Sequence, residues 1–202
     1  MPAEALPYQT PQPGTDTPQP LPTHSFRLNH VCIRVHDMET SLKFYRDTLG
    51  MRTIFTLNSD SYNMIYLGYP ERGPNGNGRE ETGAEMLKGR LRRTGLLELK
   101  QVLGKENDSW RGHRGKHPYD TGFCHLGFTV DNAPSCMALI KKGGYKIIKD
   151  VGEKPSKAMF GFASETPELN EWFQEAVTPL GFVEDPDGYW VEVVPNHSDA
   201  CC

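Results

Sequence analysis

Two histidines and two glutamates recur in this chain at matched spacing, and together they make a donor set suited to a divalent metal ion. His30 opens the run His-Val-Cys-Ile-Arg-Val, and His125 opens His-Leu-Gly-Phe-Thr-Val 95 positions later. Glu98 lies in Leu-Glu-Leu and Glu192 in Val-Glu-Val, 94 positions apart. A third landmark keeps the interval: Leu49-Gly50-Met51-Arg52-Thr53-Ile54 is echoed by Gly143-Gly144-Tyr145-Lys146-Ile147-Ile148, with Gly50 and Gly144 94 apart. Three landmarks in one order at one spacing mark two equivalent modules, each contributing one imidazole and one carboxylate. Zn²⁺ and Ni²⁺ accept both donor types, and a catalytic site leaves positions open for water or substrate. Any one of the four alone reads as a solvated side chain on a half-exposed strand. Their matched duplication favours ligation.

The elements that must position these donors follow from periodicity. From Leu28 to Val35, Val31, Ile33 and Val35 alternate with His30, Cys32 and Arg34, which predicts a strand. Asp37 is a candidate N-cap for a helix carrying Met38, Leu42, Tyr45 and Leu49 on one face and ending at Gly50. Strands are predicted at Arg52–Leu57, Tyr62–Gly68 and Leu96–Val102, with the polar stretch Pro70–Thr94 as a long loop holding a short helix. The second half repeats this β-α-β-β-β order. Cys124–Val130 alternates, and Asp131 is expected to cap a helix whose inner face uses Cys136, Leu139 and Ile140. Strands are expected near Tyr145–Ile148, Ala158–Ala163 and Gly188–Pro195. The extra stretch Thr166–Leu180 is expected to be a short helix with Pro167 at its first position and Glu168 in its first turn. By alternation every donor leaves the face that its apolar neighbours occupy, so two curled sheets would line one cavity from strand interiors.

The fold class expected is α+β: two paired βαβββ modules with mainly antiparallel curved sheets. The domain would span residues 25–196, with modules near 26–103 and 122–196 and a linker at 104–121. Residues 1–24 are rich in Pro, Thr and Gln and are expected to be a disordered arm; 197–202 would be a tail. A net charge of −4 and a pI near 6.0 argue against nucleic acid or an anionic membrane as partner. No apolar run approaches the ~20 residues that span a bilayer, and the start lacks a signal-peptide pattern. Five cysteines without a tight framework fit a reducing, cytoplasmic setting. His24, His36, His113, His117 and His197 fall in tails, a turn or the linker and read as solvated surface.

Several of these runs resemble the glyoxalase I (lactoylglutathione lyase) family of the vicinal oxygen chelate superfamily, over about residues 26–196. Glu184-Asp185-Pro186-Asp187-Gly188-Tyr189-Trp190-Val191-Glu192 is similar to its closing signature. His30-Val31-Cys32-Ile33-Arg34-Val35 with Ser41-Leu42-Lys43-Phe44-Tyr45 is similar to its opening one, and Gly122-Phe123-Cys124-His125 to the segment bearing the second histidine. The resemblance implies a homodimer with a metal at the subunit interface, held by His30, Glu98, His125 and Glu192. Many eukaryotic members carry Gln at the His30 position, whereas nickel-preferring bacterial members carry His, so Zn²⁺ and Ni²⁺ both remain open. The implied reaction isomerises the methylglyoxal–glutathione hemithioacetal to S-D-lactoylglutathione through a metal-bound enediolate. Glu192 would be the principal base with Glu98 its partner, and Arg34, Lys149 and Trp190 would lie on the glutathione side. This chain departs from the family's Glu-Leu-Thr-His-Asn-Trp-Gly run, with Val102 and Leu103 in place of its Asn and Trp; Thr121 replaces an anion-binding Arg of many eukaryotic members. Two rivals stand beside this reading: a metal-dependent isomerase, epimerase or tailoring enzyme acting on a non-glutathione substrate, and a non-catalytic small-molecule binding module of the same fold.

Overall fold

Strand β1 (His30–Val35) sends the chain into α1 (Met38–Leu42), and β2 (Arg52–Asn58), β3 (Tyr62–Gly68), α2 (Gly83–Gly89) and β4 (Leu96–Val102) complete the first half. The second half runs β5 (Leu126–Val130), α3 (Ala133–Lys142), β6 (Lys146–Lys149), α4 (Glu171–Val177), β7 (Gly181–Glu184) and β8 (Trp190–Pro195). This computed structural model describes residues 14–18, 23–71, 80–105, 109–110, 112, 122–161 and 168–196. Most of the N-terminal arm, most of the linker with Thr121, and the tail 197–202 lie outside the described residues. No described helix is long and apolar enough to cross a membrane.

The two sheets share one topology, β1-β4-β3-β2 and β5-β8-β7-β6. In each, the first strand pairs in parallel with the last, and the remaining pairs are antiparallel. A strand that returns beside its starting strand after a helical crossover runs parallel to it, whereas hairpin-linked strands reverse. The register also repeats. Cys32 faces Glu98 across β1 and β4, and Gly127 faces Glu192 across β5 and β8. Each histidine therefore sits two residues before the position opposite its glutamate.

One apolar core joins the halves. It takes Ile33, Val35, Leu97 and Leu99 from the first sheet, Phe44 and Tyr45 from the first helical segment, Met137 and Ile140 from α3, and Val183, Val191 and Val193 from the second sheet. The inward residue of each alternating pair goes here, which turns His30, Glu98 and Glu192 to the opposite sheet faces. Helix α2 covers part of the first opposite face through Met86, packed on Ile54 and Leu96. Helix α4 covers part of the second through Val177, near Phe160 and Phe182.

Several local expectations are corrected. The first helix is α-helical only to Leu42, then widens into a π-helix over Lys43–Thr48 before Gly50 turns the chain at φ +80°. Asn132, not Asp131, caps α3, accepting from Ser135 N at 2.8 Å, while Asp131 accepts from Asn196. The buried face of α3 is Ala133, Met137 and Ile140; Leu139 is exposed. Residues 158–161 form turns rather than the start of a strand, and 162–163 lie outside the described residues. The third strand of the second sheet is Gly181–Glu184 instead. The run near Phe160 is apolar because Phe160 fills the space under α4, not because it pairs in a sheet. Helix α4 starts after Asn170, which accepts from Phe173 N at 2.7 Å; Glu168 precedes it and Pro167 lies outside the described residues.

Candidate metal centre

His30 is the first residue of β1 and Glu98 the third of β4. Their nearest atoms, Nε2 and Oε2, are 3.4 Å apart. In the second half His125 precedes β5 by one residue and Glu192 is the third of β8, with Nε2 and Oε2 3.3 Å apart. The histidines thus stand at strand mouths rather than strand interiors, and each imidazole is 38 % exposed. Two donors bound to one cation at about 2.1 Å lie roughly 3.0–3.4 Å apart for octahedral to tetrahedral angles. Both pairs fit that span. Asn29 adds a supporting contact: its Oδ1 is 3.0 Å from His30 Nδ1, and its Nδ2 donates to the carbonyls of Arg90 and Arg93. A partner on Nδ1 fixes the tautomer that leaves Nε2 able to ligate.

The four donors do not converge in one chain. Among the described residues no group of three or more His, Cys, Asp or Glu side chains is placed to hold a metal. Within one chain the donors stand as two separate pairs, because the sheets join through the core behind these faces.

The two pairs differ in their surroundings. Tyr66 faces Glu98 across β3 and β4; Phe182 faces Glu192 across β7 and β8. The Tyr66 hydroxyl donates to Glu98 Oε2 at 2.5 Å and lies 3.2 Å from His30 Nε2. Burial, the bond to Glu98 and its charge push the phenol's pKa up, so it remains a donor. Cys32 stands beside Glu98, and burial, then hydrogen bonding and charge from Glu98, push its thiol up to about 11. In the second half the place of Cys32 is taken by Gly127, where a side-chain carbon would sit 3.5 Å from Glu192. A cavity of about 320 Å³ opens there instead, walled by Phe160, Phe173, Phe182 and Trp190 and floored by His125 and Glu192.

The expected substrate contacts fare unequally. Trp190 lines that cavity. The Arg34 guanidinium lies 4.9 Å from the Trp110 ring centre, on the face that also carries His30. Lys149 is fully buried, and its Nζ donates to the carbonyls of Asp150, Thr178 and Leu180 at 2.9, 3.1 and 2.8 Å. Asp150 O also accepts from Glu153 N and Thr178 O from Gly152 N, so Lys149 adds a further donor to these and one to Leu180 O, bracing the chain where α4 ends. We correct it from a substrate contact to a support of that segment. Burial lowers its pKa.

Sequence reasoning missed a polar latch between the halves. Asp187 Oδ1 accepts from His36 N at 2.9 Å and lies 2.6 Å from His36 Nδ1; its Oδ2 accepts from Ser41 at 3.1 Å. Tyr45 donates to Asp185 Oδ2 at 2.6 Å. His36 is also stacked on Trp110 at 3.9 Å, so its reading as solvated surface is corrected. The signal was the Asp-Pro-Asp-Gly run itself, whose two acids next to an apolar strand needed partners. Tyr66 and Asn29 were missed too; Tyr66 was legible only as the residue opposite Glu98 once the hairpin register was known.

Residues 27–193 match the profile of the Glyoxalase/Bleomycin resistance protein/Dioxygenase superfamily. The chain is 28% identical over 173 residues to a lactoylglutathione lyase of Schizosaccharomyces pombe, covering 84% of this chain and 47% of that protein. It therefore spans about half the length of that relative. It is 26% identical over 187 residues to a lactoylglutathione lyase of Pseudomonas aeruginosa, covering 91% and 90% of the two chains. The trypanothione-dependent glyoxalase I of Leishmania major has a similar fold, with a TM-score of 0.50 at 23% identity over 85% of this chain and 87% of that one.

Proposed function

Because the chain belongs to the Glyoxalase/Bleomycin resistance protein/Dioxygenase superfamily, we propose that it is a metal-dependent lactoylglutathione lyase. The reaction would convert the hemithioacetal of methylglyoxal and glutathione to S-D-lactoylglutathione. The observation that carries this reading is the pair of His–Glu couples at one repeated register, each spaced to share a cation. Its relatives named lactoylglutathione lyase support it. His30, Glu98, His125 and Glu192 would hold Zn²⁺ or Ni²⁺. Since each chain offers two half-sites, we take the active form as a homodimer in which one copy's His30–Glu98 pair faces the other's His125–Glu192 pair. Two-fold symmetry then makes two complete sites from four halves.

When bound, the divalent ion supplies Lewis-acid stabilisation of negative charge on substrate oxygen. The chain's own residues do the rest. Glu192 takes the carbon-bound proton and returns it to the neighbouring carbon, while the hydroxyl proton passes from the first oxygen to the second; two hydrogens change place and the atom count is unchanged. The aromatic walls exclude water from that transfer. Arg34, oriented by Trp110, pairs with a substrate carboxylate. The deciding experiment is the ultraviolet absorbance of thioester formed from methylglyoxal plus glutathione, with metal content measured on the same sample. Metal without thioester would exclude this lyase.

One observation favours a second reading. A cavity of about 320 Å³ lined by four aromatic rings has far more apolar room than a methyl group needs. Together with Val102 and Leu103, it supports a metal-dependent isomerase, epimerase or tailoring enzyme for a bulkier, non-glutathione substrate.

A further inference from the structure

We propose that Tyr66 is a positioning residue that separates the roles of the two glutamates, pinning Glu98 in place and leaving Glu192 to move. This rests on the reading of both carboxylates as ligands and adds the reason they are not interchangeable.

The argument starts from the repeat. Glu98 and Glu192 are each the third residue of the strand that pairs in parallel with the histidine strand. Each is also paired, across the next antiparallel ladder, with an aromatic residue on the same sheet face: Tyr66 with Glu98, Phe182 with Glu192. The backbone environment is the same in both halves. The aromatic partners differ by one oxygen atom, and that oxygen is 2.5 Å from Glu98 Oε2. A hydroxyl that donates to a carboxylate makes a stronger hydrogen bond than one between two neutral groups. The phenol is itself held, since its ring stacks on Phe55 at 4.5 Å and 15°. It also lies 3.2 Å from His30 Nε2, but its single hydrogen goes to Glu98, so the brace is on the carboxylate alone.

Glu192 has no such brace. Among the described residues no side-chain hydroxyl donates to it, and its aromatic partner offers only a ring edge to His125 at 5.8 Å. It borders the aromatic cavity, where a carboxylate has room to swing. A carboxylate that must leave a cation to accept a proton needs both that room and the lack of an anchor. The Glu98 side chain has neither, being anchored and only 10 % exposed.

The test uses Co²⁺ alone as the probe, titrated into metal-free full-length protein and followed by its visible absorption. Tyr66→Phe, which makes the first half match the second, is expected to weaken Co²⁺ binding by about 10-fold or more, the usual effect of losing a ligand's supporting hydrogen bond. Combined with Glu98→Gln, Tyr66→Phe should add almost nothing further. Combined with Glu192→Gln it should keep its full effect, because it acts through one carboxylate only. The reciprocal change, Phe182→Tyr, should lower kcat by about 10-fold with little change in KM, as pinning the base requires. Wild-type affinity in Tyr66→Phe, or an effect that is fully retained on Glu98→Gln, overturns the proposal. A wild-type protein that binds no Co²⁺ overturns the metal reading beneath it as well. Absence of thioester formation with an intact Co²⁺ cycle removes the lyase assignment and leaves the role of Tyr66 standing.

Discussion

Glu192 and Lys149 belong to the same sheet and face opposite fates, because one meets a cavity and the other meets carbonyl oxygens. Glu192→Gln keeps the side-chain size and one oxygen donor but cannot take a proton. It should lose activity by about 100-fold or more while retaining most metal, read by paired kinetics and metal analysis. Wild-type turnover in that variant would show that the base lies elsewhere. Lys149→Ala should behave oppositely. The Leu180 carbonyl would lose its Lys149 donor, while the Asp150 and Thr178 carbonyls would each keep one backbone donor, lowering stability by about 1–3 kcal/mol in urea unfolding. Its KM at a temperature where it remains folded should be unchanged. A raised KM with unaltered stability would restore Lys149 to the substrate side.

The elements repeat in sequence order but are decorated differently. Helix α2 follows β3 in the first half, whereas α4 follows β6 in the second. Each covers part of the face that bears a donor pair, so the chain reaches a similar enclosure by two different insertions. Helix α4 leaves a cavity beside its donor pair, since Phe173 and Val177 stand off Phe182 and Trp190 to form its roof. Phe173→Ala removes a cavity wall. It should raise KM for the hemithioacetal of a phenyl-substituted 2-oxoaldehyde by several-fold more than for that of methylglyoxal, in side-by-side assays. Equal changes for both would place the substrate's apolar group away from α4. The helix boundaries illustrate what local pattern misses. Pro167 and Glu168 resemble a helix start, yet α4 begins after Asn170, whose side-chain oxygen accepts from the Phe173 N–H.

At the scale of the molecule, a buried acidic turn ties the halves together. Asp185 is almost fully buried, and desolvation pushes its pKa up to about 7; bonds from Tyr45 and the Tyr189 N–H pull it partly back, and the charge of Asp187 raises it. The folded state therefore holds a proton that the unfolded chain releases above an ordinary carboxyl pKa of about 4. That contribution to stability is full below about pH 4 and is lost as pH rises to about 7. Asp185→Asn, neutral at every pH, should flatten this slope when urea midpoints are compared from pH 4.5 to 7.5; parallel curves would refute the assignment. Assembly gives a second test. If a site joins halves of two copies, mixing inactive His30→Ala and His125→Ala chains after unfolding and refolding should recover about a quarter of wild-type activity. Half the dimers are mixed, and each mixed dimer has one intact site. No recovery would mean that both pairs serve one chain.

The duplicated spacing of His30 and His125 and of Glu98 and Glu192, and the sheet face that each takes, were legible from the sequence, because strand alternation dictates which side chains share a face. So were β1 to β4, whose expected bounds lie within two residues of the observed ones. The site of β7 was not, because Gly181–Glu184 is four residues long and the apolar run near Phe160 competes with it on composition alone. Nor was the choice between Lys149 as a substrate contact and as a support for α4, which depends on where the carbonyls of Thr178 and Leu180 arrive from 29 and 31 residues away. Periodicity assigns a side chain to a face. Only the packed chain decides what lies opposite that face, whether a phenol, a phenyl ring or open space, and it is this that makes two carboxylates of equal register unequal.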